Sequence, residues 1–192
     1  PQNGNALRRN EEGLLTENYA EARRINAGSP EPLWTGGFNT ELSWKGISLG
    51  IQLEARYGNK VLNQDRSLFE ADGAYGDSNI WKGALNYWKK PGDTNVLPKP
   101  VYNNSSNSSN ISTRYLEDGS YLRIKDITLA YNLPSKWTKK ALMSGVRIYA
   151  SALNLYTFHN MNYWDPEHGT TGATIISYPM TRSMIVGVDI TF

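Results

Sequence analysis

At 192 residues the chain is long enough for one domain or two small ones. Twenty lysines and arginines against 18 acidic residues leave a net charge of +2, which gives no electrostatic reason to invoke nucleic acid. The absence of cysteine excludes disulfides and thiolate metal sites, and no apolar run approaches the roughly 20 residues of a membrane helix.

A barrel strand needs only about 9–11 alternating residues, a pattern that hydropathy windows miss. The negative mean hydropathy is therefore compatible with a soluble domain or with a barrel. The opening stretch, PQNGNALRRNEEG, has neither an apolar core nor an initiating Met, and reads as though cut from something longer.

Residues 1–35 are polar. Leu14, Leu15, Tyr19 and Ala22 predict one face of a marginal helix, which the Gly28-Ser29-Pro30-Glu31-Pro32 stretch ends. The first strand is predicted at 34–44, where Leu42 and Trp44 alternate with Glu41 and Ser43. Lys45-Gly46 is a tight connection. In 47–57 every odd position from Ile47 to Tyr57 is apolar or amphipathic and no even position is, a period-2 strand paired with the first as a hairpin.

Residues 58–119 carry little strand signal. Trp81, Ala84, Leu85 and Trp88 predict a short helix over 80–90, stopped by Pro91-Gly92-Asp93. The low-complexity tract at 103–112 reads as mobile. Its glycosylation-like triplets at Asn103 and Asn110 matter only in a eukaryotic secretory protein. A third strand spans 119–133, where the apolar phase slips from even (Leu122, Ile124) to odd (Ile127, Leu129, Tyr131). A β-bulge near Lys125-Asp126 resets it. A turn-like connection at 134–145, with one helical turn at most, leads to a fourth strand at 146–157. A loop over 158–177 leads to the last strand, where Met184, Val186, Val188, Ile190 and Phe192 share a face opposite Ile185, Gly187, Asp189 and Thr191.

The first–second and third–fourth connections are short, and the other two are long. In an antiparallel meander alternate connections lie on one side, which gives short turns at one end and long loops at the other. Outer-membrane barrels have that asymmetry.

The stretches WTGGFNTELSWKGISLGIQLEARYGNKV (34–61), GSYLRIKDITLAYNLP (119–134), VRIYASALNLYTF (146–158), YWDPE (163–167) and YPMTRSMIVGVDITF (178–192) together resemble the C-terminal part of a SusC/RagA-type TonB-dependent outer-membrane receptor. The resemblance covers residues 30–192. It implies an all-β fold: about five C-terminal antiparallel strands of a large transmembrane β-barrel, with long outer loops containing short helices. Residues 1–35 are then loop, and 36–192 the barrel segment. The family's barrel has about 22 strands around an N-terminal plug. It imports nutrients of the glycan or peptide class, energised by TonB through the absent N-terminal part. Its partner is a SusD-like surface lipoprotein, and its place is the outer membrane of a Gram-negative bacterium, in contact with lipid. The resemblance implies no cofactor and no enzymatic activity. Five strands leave two open edges, which do not persist in hydrocarbon, so a fragment of a longer product is expected.

Trp81, Tyr87, Trp88, Tyr163, Trp164 and Asp165 fall in the expected outer loops and are the candidate ligand contacts; loop packing or contact with the partner lipoprotein is the plainer role for the aromatics. Trp44 and Trp137 suit an interfacial belt. Phe192 is the expected C-terminal barrel-assembly signal. His159 and His168 flank Asp165 and Glu167, but two histidines in a loop do not make the three or four converging ligands of a metal site. Asp165 and Glu167 suggest glycoside hydrolysis only by residue type; no activated nucleophile accompanies them, and the family pattern treats Asp-Pro-Glu as loop-shaping. Glu54, Arg56, Arg123, Lys125, Arg147 and Asp189 put charge into strands, and where the phase is clear (54, 56, 147 and 189) they share the face away from lipid. The alternative fold is a soluble β-sandwich that binds carbohydrate through Trp and Tyr. It requires the apolar strand faces to be packed into a core.

Overall fold

The computed structural model describes residues 2–77, 79–167, 172–174, 178 and 180–192. Two compact units are present. One is built from the described parts of 1–28, 61–117 and 171–176, and the other from those of 29–60, 118–170 and 177–192. Among the described residues no helix is long and apolar enough to cross a membrane.

The second unit is a five-stranded antiparallel sheet of β1 (Trp34–Trp44), β2 (Ile47–Tyr57), β3 (Tyr121–Asn132), β4 (Gly145–His159) and β5 (Ser183–Thr191). Its spatial order follows chain order, so it is the meander that the loop lengths predict. The register aligns the apolar positions in rows. One row runs Leu42, Leu49, Leu129, Ala150, Val186, and the next runs Trp44, Ile47, Tyr131, Ile148, Val188. Toward the opposite end, Trp34 faces Tyr57, and Leu122 faces Phe158. This gives an apolar band with aromatic residues at both ends. The band is open: Leu42 is 61% exposed, Trp44 68% and Val186 80%. A sandwich would have buried it against a second sheet.

The other face is polar, carrying Arg56, Glu54, Gln52, Arg123, Asp126, Thr128, Ser151, Arg147 and Asp189. The phase slip in β3 is real. Against β2 the register shifts between Gln52 and Leu53, which leaves Lys125 as the extra residue. A second irregularity lies at the same height in β4, where Asp126 pairs with Leu153 but Ile124 pairs with Tyr156. There Asn154 has φ +51°, a left-handed conformation that Asn tolerates. The alternation of apolar residues in β4 does not reveal this second bulge by itself.

Lys45 and Gly46 both have positive φ, as a two-residue hairpin turn of the primed type requires. Gly46 is also needed for space, since a Cβ there would lie 2.9 Å from the carbonyl oxygen of Asn132. The β3–β4 connection holds a helical turn, Ser135–Thr138, followed by a 3-10 turn, Lys139–Ala141. Both long connections leave the opposite end of the sheet.

The first unit contains an antiparallel pair, Arg8–Arg9 with Leu15–Thr16, and a 3-10 turn at Tyr19–Glu21 capped by Asn18. The expected helix around Leu14–Ala22 does not form. Asn10 and Gly13 turn the chain back, and Leu14 and Leu15 are exposed. A short three-stranded sheet places Lys60–Asn63 between Leu116–Asp118 and Ala173–Thr174. It feeds α1 (Gln64–Glu70), whose first turn is capped by the Asn63 side chain accepting from the Arg66 N–H at 3.1 Å.

Within 80–90 only a 3-10 turn, Lys82–Leu85, is helical. The following backbone pairs elsewhere: Leu97 N–H donates to the Asn86 carbonyl, and Trp88 N–H to the Leu97 carbonyl. The asparagine–serine tract is not shapeless. Its turns are linked by Asn104, Asn107 and Asn110 side chains, with Asn103, Asn104 and Asn107 at positive φ.

Candidate functional site

On the polar face of the sheet, β2 and β3 bring Glu54, Tyr121, Arg123 and Lys125 together, and the loop after β4 adds Asp165 and Glu167. The Tyr121 hydroxyl donates to Glu54 Oε1 at 2.7 Å. Lys125 Nζ lies 3.1 Å from Glu54 Oε2 and 2.8 Å from Glu167 Oε1. Arg123 donates from Nη1 to Glu167 Oε2 at 2.6 Å and from Nη2 to Asp165 Oδ1. The Arg123 side chain is fully buried. The Glu167 N–H donates back to Asp165 Oδ1 at 2.9 Å, which shapes the Asp-Pro-Glu turn. The bulge at Lys125 lets residues 123, 125 and 126 all contribute to this face. Lower down, Asp126 accepts from Thr128 and Ser151, each at 2.8 Å.

Asp165 and Glu167 are thus the acidic half of an ion-pair cluster that ties a long loop to the sheet. Two carboxylates bound to one guanidinium suit anchoring and not proton transfer. Among the described residues no group of His, Asp and Glu is arranged to hold a metal. His159 ends β4, while His168 lies outside the described residues.

The loop unit has its own cluster. Arg66 pairs with Glu70 at 2.8 Å and with Glu117 at 2.7 Å, and Arg114 pairs with Glu70 at 2.9 Å and Asp72 at 2.5 Å. Burial pushes the Asp72 carboxyl above its usual range, against the pull of Arg114. Burial also pushes the Tyr115 hydroxyl up to about 12. For Arg114 burial acts downward, but the Asp72 partner outweighs it and the guanidinium stays firmly protonated.

The candidate aromatics fall into the two units separately. In the loop unit Trp81 sits with its ring 5.8 Å from that of Phe69, and Trp88 lies over Gly4, where a Cβ would come within 2.5 Å of its ring. Lys89 lies 5.7 Å above the Tyr87 ring. In the sheet unit Tyr163 is half exposed at a positive φ, Trp164 is partly buried beside it, and Asp165 is engaged by Arg123. Phe192 is exposed just beyond β5. The arginine pairs at 8–9 and 23–24 are absent from the sequence-based candidates. Their only signal is the doublet itself, repeated fifteen residues apart in a stretch with no strong periodicity.

No protein-family model matches the chain. The chain is 30% identical over 182 residues to TonB-dependent receptor P3 of Formosa agariphila, covering 89% of this chain and 17% of that protein. It is 27% identical to TonB-dependent receptor P26 of the same organism, covering 95% of this chain and 19% of that protein. Among solved structures, the RagAB peptide transporter superposes with a TM-score of 0.83 at 30% identity, covering the whole of this chain and 21% of that one. The RagAB peptide importer in its open-open state gives 0.81 at 29% identity. The chain therefore spans about a fifth of the length of the proteins it matches. Over most of its length it is similar to TonB-dependent receptors of the SusC/RagA type, as the sequence motifs imply, and the five-stranded sheet is a segment of their fold.

Proposed function

We propose that the chain is the C-terminal barrel segment of a TonB-dependent outer-membrane transporter. The parent protein imports nutrients of the glycan or peptide class together with a SusD-like surface lipoprotein, and TonB acts through a part of the parent outside this chain. The observation that carries the reading is the two-faced meander: an open apolar band with aromatic ends, a charged opposite face, and both long connections at one end. In a bilayer the band meets lipid and the charged face lines the lumen. The similar proteins are receptors and transporters alike, which supports transport over catalysis. The similarity to RagAB, a peptide transporter, favours peptides among the nutrient classes and an assembly with a second protein.

Tyr163 remains the best-exposed of the candidate loop aromatics for ligand or lipoprotein contact, while Trp81 and Trp88 serve the packing of the loop unit. Fractionation of the full-length parent in its native host tests the reading. Outer-membrane recovery with heat-modifiable gel mobility is expected. A soluble product without that mobility shift would overturn it.

A further inference from the structure

The loop unit holds a pocket of about 870 Å³ whose walls, among the described residues, carry five arginines, Arg8, Arg9, Arg23, Arg24 and Arg114, and no carboxylate. Two of the nearby acids, Glu17 and Glu21, are engaged by neutral partners. Glu17 accepts from Asn3 at 2.7 Å and Asn5 at 2.8 Å, and Glu21 accepts from Thr16 and Asn18, each at 2.9 Å. Among the described residues, Arg8, Arg9, Arg23 and Arg24 take part in none of the ion pairs. Arg114 is already neutralised by Asp72 and Glu70.

Arg8 is the most telling. Its Nη2 donates to the Asn107 carbonyl at 2.7 Å and its guanidinium lies 5.0 Å over the Tyr19 ring. Its Nε and Nη1 are buried with no hydrogen-bond partner among the described residues. Burial holds this guanidinium below its usual range. The Arg8 charge at the pocket wall is thus met by a carbonyl and a ring face, and by none of the carboxylates in the ion pairs among the described residues.

We propose that this pocket binds a carboxylate of an acidic peptide. The proposal rests on the transporter reading and narrows its substrate class. Guanidinium forks match a carboxylate with two parallel N–H donors. A sugar is the weaker fit. Tyr19, the one aromatic residue among the described residues lining the pocket, has a ring face covered by Arg8, and its hydroxyl donates to the Ile111 carbonyl at 2.9 Å. That leaves little of the stacking platform an oligosaccharide needs.

The test uses the full-length receptor in detergent, titrated calorimetrically with an Asp/Glu hexapeptide, its Asn/Gln counterpart and an oligogalacturonate. Wild type is expected to prefer the acidic peptide. In the R9Q/R23Q/R24Q variant that affinity falls roughly tenfold or more, while binding of the neutral peptide is unchanged. Should the triple variant lack the heat-modifiable band, Arg24→Gln alone, at an exposed position, carries the same comparison with a smaller loss. Equal affinity of wild type and variant for the acidic peptide overturns the proposal, as does absence of an acidic preference. Charge-dependent capture of oligogalacturonate without the acidic peptide overturns it in favour of a glycan. Outer-membrane recovery and neutral-peptide uptake are read separately, and their loss would sink the transporter reading instead.

Discussion

The sheet and the loop unit are each stabilised by different physics. In the sheet, neighbouring strands share a backbone ladder, and each side chain's place follows from its odd or even position. In the loop unit the elements are two to seven residues long, and charge does the joining: Arg66 and Arg114 connect α1 to residues 114–117 across more than forty residues of chain. One unit is specified by local alternation, the other by a few long-range pairs. Buried pairs of this kind are costly to break singly, because the orphaned partner stays charged in a dry place.

Arg114→Met tests that difference hardest. It strands Asp72 and leaves Glu70 with Arg66 alone, and should destabilise the loop unit by about 3–5 kcal/mol. Hydrogen exchange on the full-length protein should show lost protection around 66–72, with the strand amides unaffected. Equal loss in the strands would show the two regions to be one cooperative structure.

Leu129→Arg is the counterpart in the sheet. Leu129 sits in the middle of the apolar band, and a charge there should cost about 2–4 kcal/mol in a bilayer. Ser48→Arg, on the polar face, should cost within about 0.5 kcal/mol. Urea unfolding from lipid vesicles separates them, and similar costs would break the two-faced reading. Gly46→Ala acts on the turn alone. With φ +89° and the Asn132 carbonyl close by, it should cost about 1–2 kcal/mol.

The smallest effect is a pH dependence. Hydrogen bonds from Asn5 and Asn3 hold the Glu17 carboxyl below its ordinary value of 4.5. The clamp on residues 3–5 is fully present above that value and is lost as pH falls through the lowered one. An NMR titration of the Asn3 and Asn5 side-chain amides should follow it, and amide shifts that stay flat through that range would refute the clamp.

The same difference explains what the sequence reveals. Alternation in 47–57 leaves one choice of face, so β2 and its register neighbours are readable, and the even-to-odd slip in β3 betrays the bulge at Lys125. The bulge in β4 leaves no comparable mark. Helix periodicity at 80–90 misleads because Trp81, Ala84 and Trp88 at helical spacing are also what a looped chain needs for packing, while Leu85 is left exposed. Asp165 and Glu167 are visible as acids, but their partner Arg123 lies forty-two residues before Asp165, and no local pattern links them. The arginine pocket is harder still, since Arg8 and Arg114 are separated by most of the first unit.

The two bulges lie side by side. Lys125 in β3 and the Asn154 region in β4 store surplus length at one height, between the Asp126–Leu153 and Ile124–Tyr156 pairs. Extra residues at one height in two adjacent strands crease both of them there and raise the local twist. Above the crease lie Tyr121, Arg123, Thr157 and His159, the segment to which Asp165 and Glu167 are fastened. Through Arg123 the loop is therefore fastened to the short end of β3 beyond the bulges, apart from the regular ladder that runs from Asp126 to Asn132.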